Sequence, residues 1–319
     1  MIFENKIKEI FSSSLLVRFD DAGTARYFTH EDFEGLSKES FVFFGNCEQR
    51  LEGAFYFYGA KSSERLVIFE HGMGGGHLSY MKEIEKLASF GYTVFAYDHT
   101  GCMKSGGENI GGFSQSLADL DFAIRALRAC EEYKDISISV VGHSWGAFST
   151  LNIGAIHPDI THAVAMSGFI SVKDMLASLG ILRFYSKPLL ELERKNVGKY
   201  ADFSAKDSLL KTDAKVMIIH SDDDKTVSFK KHFMKLKESL SNRPDTEFYA
   251  VSGKGHNPNF VEGAVKYKDE FYADLTKKTK SGYFSSDKIK ADYKASWDFE
   301  KMTEQDDGVW QKIRGFLEK

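Results

Sequence analysis

A chain of 319 residues with 42% hydrophobic content can bury one large core with insertions, or two small ones. Its net charge of -4 offers no basic field, which argues against nucleic acid as a partner. Three scattered cysteines, Cys47, Cys102 and Cys130, suit neither a disulfide framework nor a zinc site, so reduced thiols and a cytoplasmic location are expected.

Residues 1–40 give weak signals and read as an N-terminal extension, with a candidate strand at 14–19 and a polar loop or helix at 30–39. Residues 1–6 lack the basic start and apolar core of a secretory leader, and no stretch is long enough to span a membrane. Residues 41–44 and 51–58 look like two strands around the turn at Gly45-Asn46. Residues 65–70 form a continuous apolar run, as in a strand covered on both faces. That run ends in His71-Gly72-Met73-Gly74-Gly75-Gly76-His77, where glycine permits tight turns and close approach of a ligand to the main chain.

Helical spacing over 78–90 follows, then a buried strand at 92–97 ending at Asp98, and a helix over 116–133. Residues 136–141 are the next apolar strand, and 147–157 continue as a helix stopped by Pro158. Further strands are expected at 163–167, 215–220 and 247–251, with a helix starting near Thr226 and a last one over 304–317. Strands alternating with helices imply a mostly parallel central sheet with helices on both faces, and ligands at the carboxyl ends of the strands. Residues 41–167 and 213–257 then form the core. Residues 168–212 interrupt it as a helical cap, 258–304 as a second insertion, and 305–319 supply a C-terminal core helix.

His71, Asp98, Ser144, Asp222 to Asp224 and His256 all fall just past strand ends, which suggests one site. In Gly142-His143-Ser144-Trp145-Gly146, small residues flank a strand-to-helix turn that would expose the Ser144 hydroxyl. A serine hydroxyl needs a base, and the base needs a partner that fixes its tautomer. His256, in a Gly-flanked loop after the last strand, is the candidate base. The acid lies among Asp222, Asp223 and Asp224; the others are expected to serve the turn. Asp98 reads as structural, tying down the loop that ends in Ser105-Gly106. Two backbone N–H groups, of Met73 and Trp145, are candidate oxyanion donors, leaving both side chains to shape an acyl pocket. No metal or organic cofactor is implied.

Taken in order, His71-Gly72, Asp98-x-x-Gly101, Gly142-His143-Ser144-Trp145-Gly146, Asp224-x-x-Val227 and Gly255-His256 resemble the α/β-hydrolase superfamily. The likeness is to its serine aminopeptidase S33, monoacylglycerol lipase and lysophospholipase-like branch, and it spans residues 41–319. The resemblance implies an α/β-hydrolase fold and a Ser144, Asp224, His256 triad, its register selecting Asp224 with Asp222 as the alternative. It implies a small-molecule ester or acyl substrate, with His71, Gly72, Gly74, His143 and Phe169 lining the substrate site. The chain departs from the branch at Ser221 and Met103, where glycine is usual, and in a longer segment after His256.

An esterase or lysophospholipase-like activity through an acyl-enzyme is therefore expected. An S33-type aminopeptidase is the alternative, with Glu191 and Glu193 as weak candidates for an amine anchor that read better as solvated helix charges. A non-catalytic ligand-binding protein would be expected to lose a triad member, and a dehalogenase would carry Asp at position 144. In the cap, Met175, Leu176, Leu179, Ile181, Leu182, Phe184 and Tyr185 suggest either an apolar roof or packing onto the core.

Overall fold

Eight strands make one sheet in a computed structural model that describes residues 2–319, with side chains from residue 4 onward. In chain order they are β1 (Leu36–Phe44), β2 (Arg50–Tyr58), β3 (Arg65–Glu70), β4 (Thr93–Tyr97), β5 (Ser137–His143), β6 (Ile160–Met166), β7 (Lys215–Ser221) and β8 (Thr246–Val251). In space they run β1-β2-β4-β3-β5-β6-β7-β8. The pairs β1/β2 and β2/β4 are antiparallel and the rest are parallel.

The helices are α1 (Ile2–Leu15), α2 (Met81–Ser89), α3 (Gln115–Ala129), α4 (Trp145–Asn152), α5 (Val172–Ser178), α6 (Ser186–Val197) and α7 (Ala205–Leu209). After β7 come α8 (Phe233–Ser239), α9 (Glu262–Lys280), α10 (Asp287–Ala295), α11 (Phe299–Met302) and α12 (Asp307–Leu317). Among the described residues, no helix is long and apolar enough to cross a membrane.

Strand alternation divides the core into two layers. Leu66 and Ile68 of β3 pack with Phe95 of β4, Val140 of β5 and Leu120 of α3 on one face. Val67 and Phe69 pack with Val94, Ile84 of α2 and Trp310 of α12 on the other. Both faces are covered, which is why these strands read as unbroken apolar runs.

Three expected elements differ. Residues 14–19 are not a strand: α1 runs to Leu15, its Phe11 buries against the core with Leu16 beyond it, and an isolated bridge joins Phe19 to Cys102. The first strand begins at Leu36, because its pairing with β2 continues to Leu36 opposite Tyr58. No helix starts near Thr226. The amides of Thr226 and Val227 instead donate to Asp224 Oδ1 (2.8 and 3.0 Å), wrapping the chain around that carboxylate, and α8 starts at Phe233.

The junction of β5 and α4 is the tightest part of the fold. A Cβ on Gly142 would lie 2.5 Å from the Gly146 carbonyl oxygen, and one on Gly146 would overlap the Glu70 carbonyl. Without side chains at both positions, α4 crosses directly over the ends of β5 and β3. Ser144 between them has φ 55° and ψ -110°, a conformation that costs a non-glycine residue about 1–3 kcal/mol. Its own N–H donates to Met166 O at 2.8 Å, locking the turn to the end of β6.

The loop after β4 is held by Asp98, which is buried. Its Oδ1 accepts the His77 N–H (2.9 Å) and Nδ1–H (2.7 Å), and its Oδ2 accepts the Lys104 N–H (3.2 Å). Burial pushes the Asp98 carboxyl up, but the charge and hydrogen bond of His77 outweigh it and bring the pKa down to about 2.

Gly146→Ala is expected to cost at least about 3 kcal/mol in denaturant unfolding, because neither neighbouring backbone can retreat. A fully stable Gly146→Ala protein would contradict the crossing. Asp98 ionises more readily folded than unfolded, so its contribution is present above the ordinary value of 3.8 and is lost as pH falls towards 2. Asp98→Asn should therefore lower stability by about 2 kcal/mol at pH 5, with the gap to wild type closing between about pH 4 and pH 2.

Candidate active site

Three chain-distant side chains meet at the carboxyl end of the sheet. Ser144 Oγ lies 2.8 Å from His256 Nε2, and His256 Nδ1 lies 2.8 Å from Asp224 Oδ2. Ser144 and His256 are half-buried, while Asp224 is buried. Asp224 also faces His220 Nε2 at 3.1 Å, besides accepting the two amides of the turn. Burial alone would raise its pKa. The hydrogen bonds from His220 and His256 reverse this and hold the carboxyl below the usual carboxylate range.

The three consecutive acids have separate tasks. Asp222 Oδ2 accepts the Ser252 hydroxyl at 2.7 Å, so this carboxylate braces the end of β8 and not the imidazole. Asp223 Oδ1 accepts the Gly255 N–H (3.0 Å) and the Ser221 hydroxyl (2.5 Å), and Ser221 Oγ accepts the Lys254 N–H (3.1 Å). Ser221 thus uses its side chain to hold the histidine loop. That loop turns through Gly253 (φ 72°) and Gly255 (φ 51°), a backbone region that favours glycine.

A second layer fixes the ring and the neighbouring loop. His143 Nε2–H donates to the His256 carbonyl (2.7 Å), and its Nδ1 accepts the Tyr80 hydroxyl (3.0 Å). Burial and the adjacent His256 bring the His143 pKa down to about 3, so it is a neutral strut. His71 Nδ1–H donates to the Gly72 carbonyl (2.8 Å), and its Nε2 accepts the His99 N–H (2.9 Å). Burial and His99 push its pKa well below the ordinary value.

His71 was expected to line the substrate site. It is fully buried with both nitrogens on backbone, so it shapes the loop from below. Phe169 is likewise only 2% exposed and stacks on Phe148 at 4.7 Å. The Trp145 indole does not shape a pocket either: it is 1% exposed and donates from Nε1 to Phe113 O at 2.6 Å. Gly72 lies close to the turn at Ser144, with its would-be Cβ 3.4 Å from Ser144 Cβ. Gly74, at φ 100°, is exposed beside half-buried Met73. Glu193 is not a solvated charge. It is 1% exposed and accepts the Ser114 N–H (2.6 Å) and hydroxyl (2.7 Å), pinning α6 to the start of α3.

Two features were not anticipated. His220 backs the acid, and its position at a strand end was the available signal. Buried His99 sits 3.4 Å from Glu70 and 3.3 Å from Asp119. Among the described residues, no group of three or more His, Cys, Asp or Glu side chains has the arrangement of a metal site.

Comparison with known proteins places the fold among characterised ones. The family described as serine aminopeptidase, S33 matches residues 61–201. A monoglyceride lipase homolog of Monkeypox virus is 26% identical over 119 residues, which is 37% of this chain and 42% of that relative. The match thus spans less than half of the viral protein's length. The esterase Pf2001 of Pyrococcus furiosus superposes with a TM-score of 0.60 at 20% identity, over 83% of this chain and 98% of that one. Est1E of Butyrivibrio proteoclasticus, solved with ferulic acid bound, gives a TM-score of 0.54 at 16% identity, over 68% of this chain and 90% of its own. At these identities the two structures speak for the fold alone. Sheet order and the superpositions give this chain the α/β-hydrolase fold, and over residues 61–201 it is similar to the S33 and monoacylglycerol lipase-like branch.

Proposed function

We propose that the protein is a serine hydrolase that cleaves a small carboxylic ester or thioester through an acyl-enzyme. The observation that carries this is the pair of 2.8 Å contacts running from Ser144 Oγ through His256 to Asp224. His256 Nε2 takes the Ser144 proton as Oγ attacks the carbonyl carbon, and Asp224 stabilises the imidazolium that results. The carbonyl oxygen becomes an oxyanion at the N–H groups of Met73 and Trp145, the latter at the N-terminus of α4. His256 then gives its proton to the leaving alkoxide or thiolate, and the Ser144 ester forms as the carbonyl–heteroatom bond breaks. Water, deprotonated by His256, attacks the acyl carbon, the carbonyl–Oγ bond breaks, and the imidazolium returns its proton to Ser144 Oγ as the acid leaves.

The esterase reading is preferred over an aminopeptidase. Glu193 is committed to Ser114, and Glu191 lies 4.0 Å from Lys8 with its side chain 52% exposed, so neither is placed to hold a substrate amine. The lipase and esterase names of the relatives point the same way. We also read residues 168–212 as a cap on a core formed by 41–167 and 213–257. In support, Val172, Leu176 and Leu189 bury in the same cluster as β3 and β5. The free thiols Cys47, Cys102 and Cys130 favour a reducing, cytoplasmic setting.

Ser144→Ala is expected to abolish covalent labelling by a fluorophosphonate probe and to lower ester turnover by about 10⁴-fold or more. Asp224→Asn should lower kcat by about 10⁴-fold, whereas Asp222→Asn should stay within about tenfold of wild type. Equal labelling of wild type and Ser144→Ala, or equal losses at positions 222 and 224, would defeat the assignment.

A further inference from the structure

Two cavities adjoin on the Gly72 side of Ser144. The nearer, of about 130 Å³, lies against the Gly72–Gly75 turn and is walled by Phe260, Phe271 and Phe299 and by Tyr27. The farther, of about 340 Å³, reaches Ser40 on β1, Gly53 on β2 and Met103. Tyr27 and Leu78 line both, so these two side chains are the partition. No residue of 168–212 lines either one.

The partition is held at both ends. Upstream, the Arg18 guanidinium donates to the carbonyls of Ser105 (2.9 Å) and Gly107 (2.8 Å). Downstream, Phe28 is 4% exposed and packs in the core layer with Tyr56 and Phe271. Tyr27 therefore stands on a short tethered span. Two charged side chains of the nearer cavity have partners: Lys268 Nζ donates to Asn257 Oδ1 (2.5 Å), and Glu83 Oε1 accepts the Asn259 amide (3.0 Å). The rings of Phe260, Phe271 and Phe299 and the thioethers of Met73 and Met302 supply the apolar half of the lining, against which a short acyl chain can pack.

We propose that the nearer cavity is the acyl subsite and that Tyr27 and Leu78 are its end wall, making the enzyme selective for short acyl groups. This rests on the ester-hydrolase reading. A carbonyl oxygen directed at the Met73 N–H turns its acyl arm towards Gly72–Gly75, while the leaving group lies towards His256. Substrate length is then set by the N-terminal segment and by the segment after His256, not by residues 168–212.

The test is kcat/KM for p-nitrophenyl butyrate and octanoate, read as a ratio so that any loss of folded protein cancels. Wild type should prefer butyrate by about tenfold or more. Tyr27→Ala and Leu78→Ala should each raise the octanoate-to-butyrate ratio by about tenfold, and adding Ser40→Trp, which fills the farther cavity, should reverse the gain. The proposal is overturned if the ratio is unmoved in both variants, or if Leu182→Ala in the 168–212 segment moves it instead. Wild type that neither hydrolyses these esters nor labels with a fluorophosphonate overturns the nucleophile itself. Turnover with an unmoved ratio overturns only the end wall.

Discussion

Everything at the carboxyl edge of this sheet depends on one close backbone crossing. α4 leaves β5 at an angle that places Gly146 against the Glu70 carbonyl and Gly142 against Gly146 itself. Only at that separation does residue 144 adopt positive φ and lift its side chain clear of the strand. The strain is small beside the apolar surface that β5 and α4 bury, and it is spread over a junction with no alternative packing. The Ser144 side chain and the start of α4 are thus positioned by one steric constraint.

Around that turn the polar side chains hold defined protonation states. His143 and His71 are both buried, both neutral, and each has one nitrogen donating to a carbonyl and the other accepting. Such rings cannot compete with His256 for a proton; they act as spacers with fixed polarity. Lower down the design changes. Glu70, whose carbonyl meets Gly146, sends its carboxyl into the core, where Oε2 accepts the Ser149 hydroxyl at 2.8 Å and faces His99. Burial raises its pKa to about 7 despite the opposing charge of His99. A buried acid–imidazole–acid group adds little net stability, since desolvation offsets its attraction. It does fix how the ends of β3 and β4 sit against Trp145, which packs 4.8 Å from the His99 ring.

How much of this the sequence discloses varies with the range of the forces involved. The parallel core is legible because strands covered on both faces must be apolar throughout, and β3, β4 and β5 are. The glycines at 142 and 146 are legible because the turn between them is local. The three acids at 222–224 are not separable from the residues alone. They are chemically identical, and what distinguishes them is tertiary: Ser252 for the first, Gly255 for the second, His256 for the third. Depth is equally hidden. Next to a glycine turn, His71 reads as a pocket residue, and only the packing of Tyr80, His99 and Trp145 around it shows that it is covered. Residues 1–40 gave little because Phe11, Leu16 and Phe28 are isolated anchors in polar sequence, with no period to detect.

That illegible stretch lines the cavity against the Gly72–Gly75 turn despite its weak pattern. A regular strand or helix is specified many times over by its own periodicity. The path from residue 18 to residue 28 is specified by a few long-range ties, chiefly the Arg18 guanidinium on the carbonyls of the loop after β4 and the Phe28 ring in the core. Such a segment can change length or side chains at little cost to the sheet, since few of its backbone groups belong to it. The turn at Ser144 has no such freedom. The position of Ser144 is therefore fixed where the backbone is crowded, and the wall of the cavity beside Gly72–Gly75 is left to the segment with the fewest constraints.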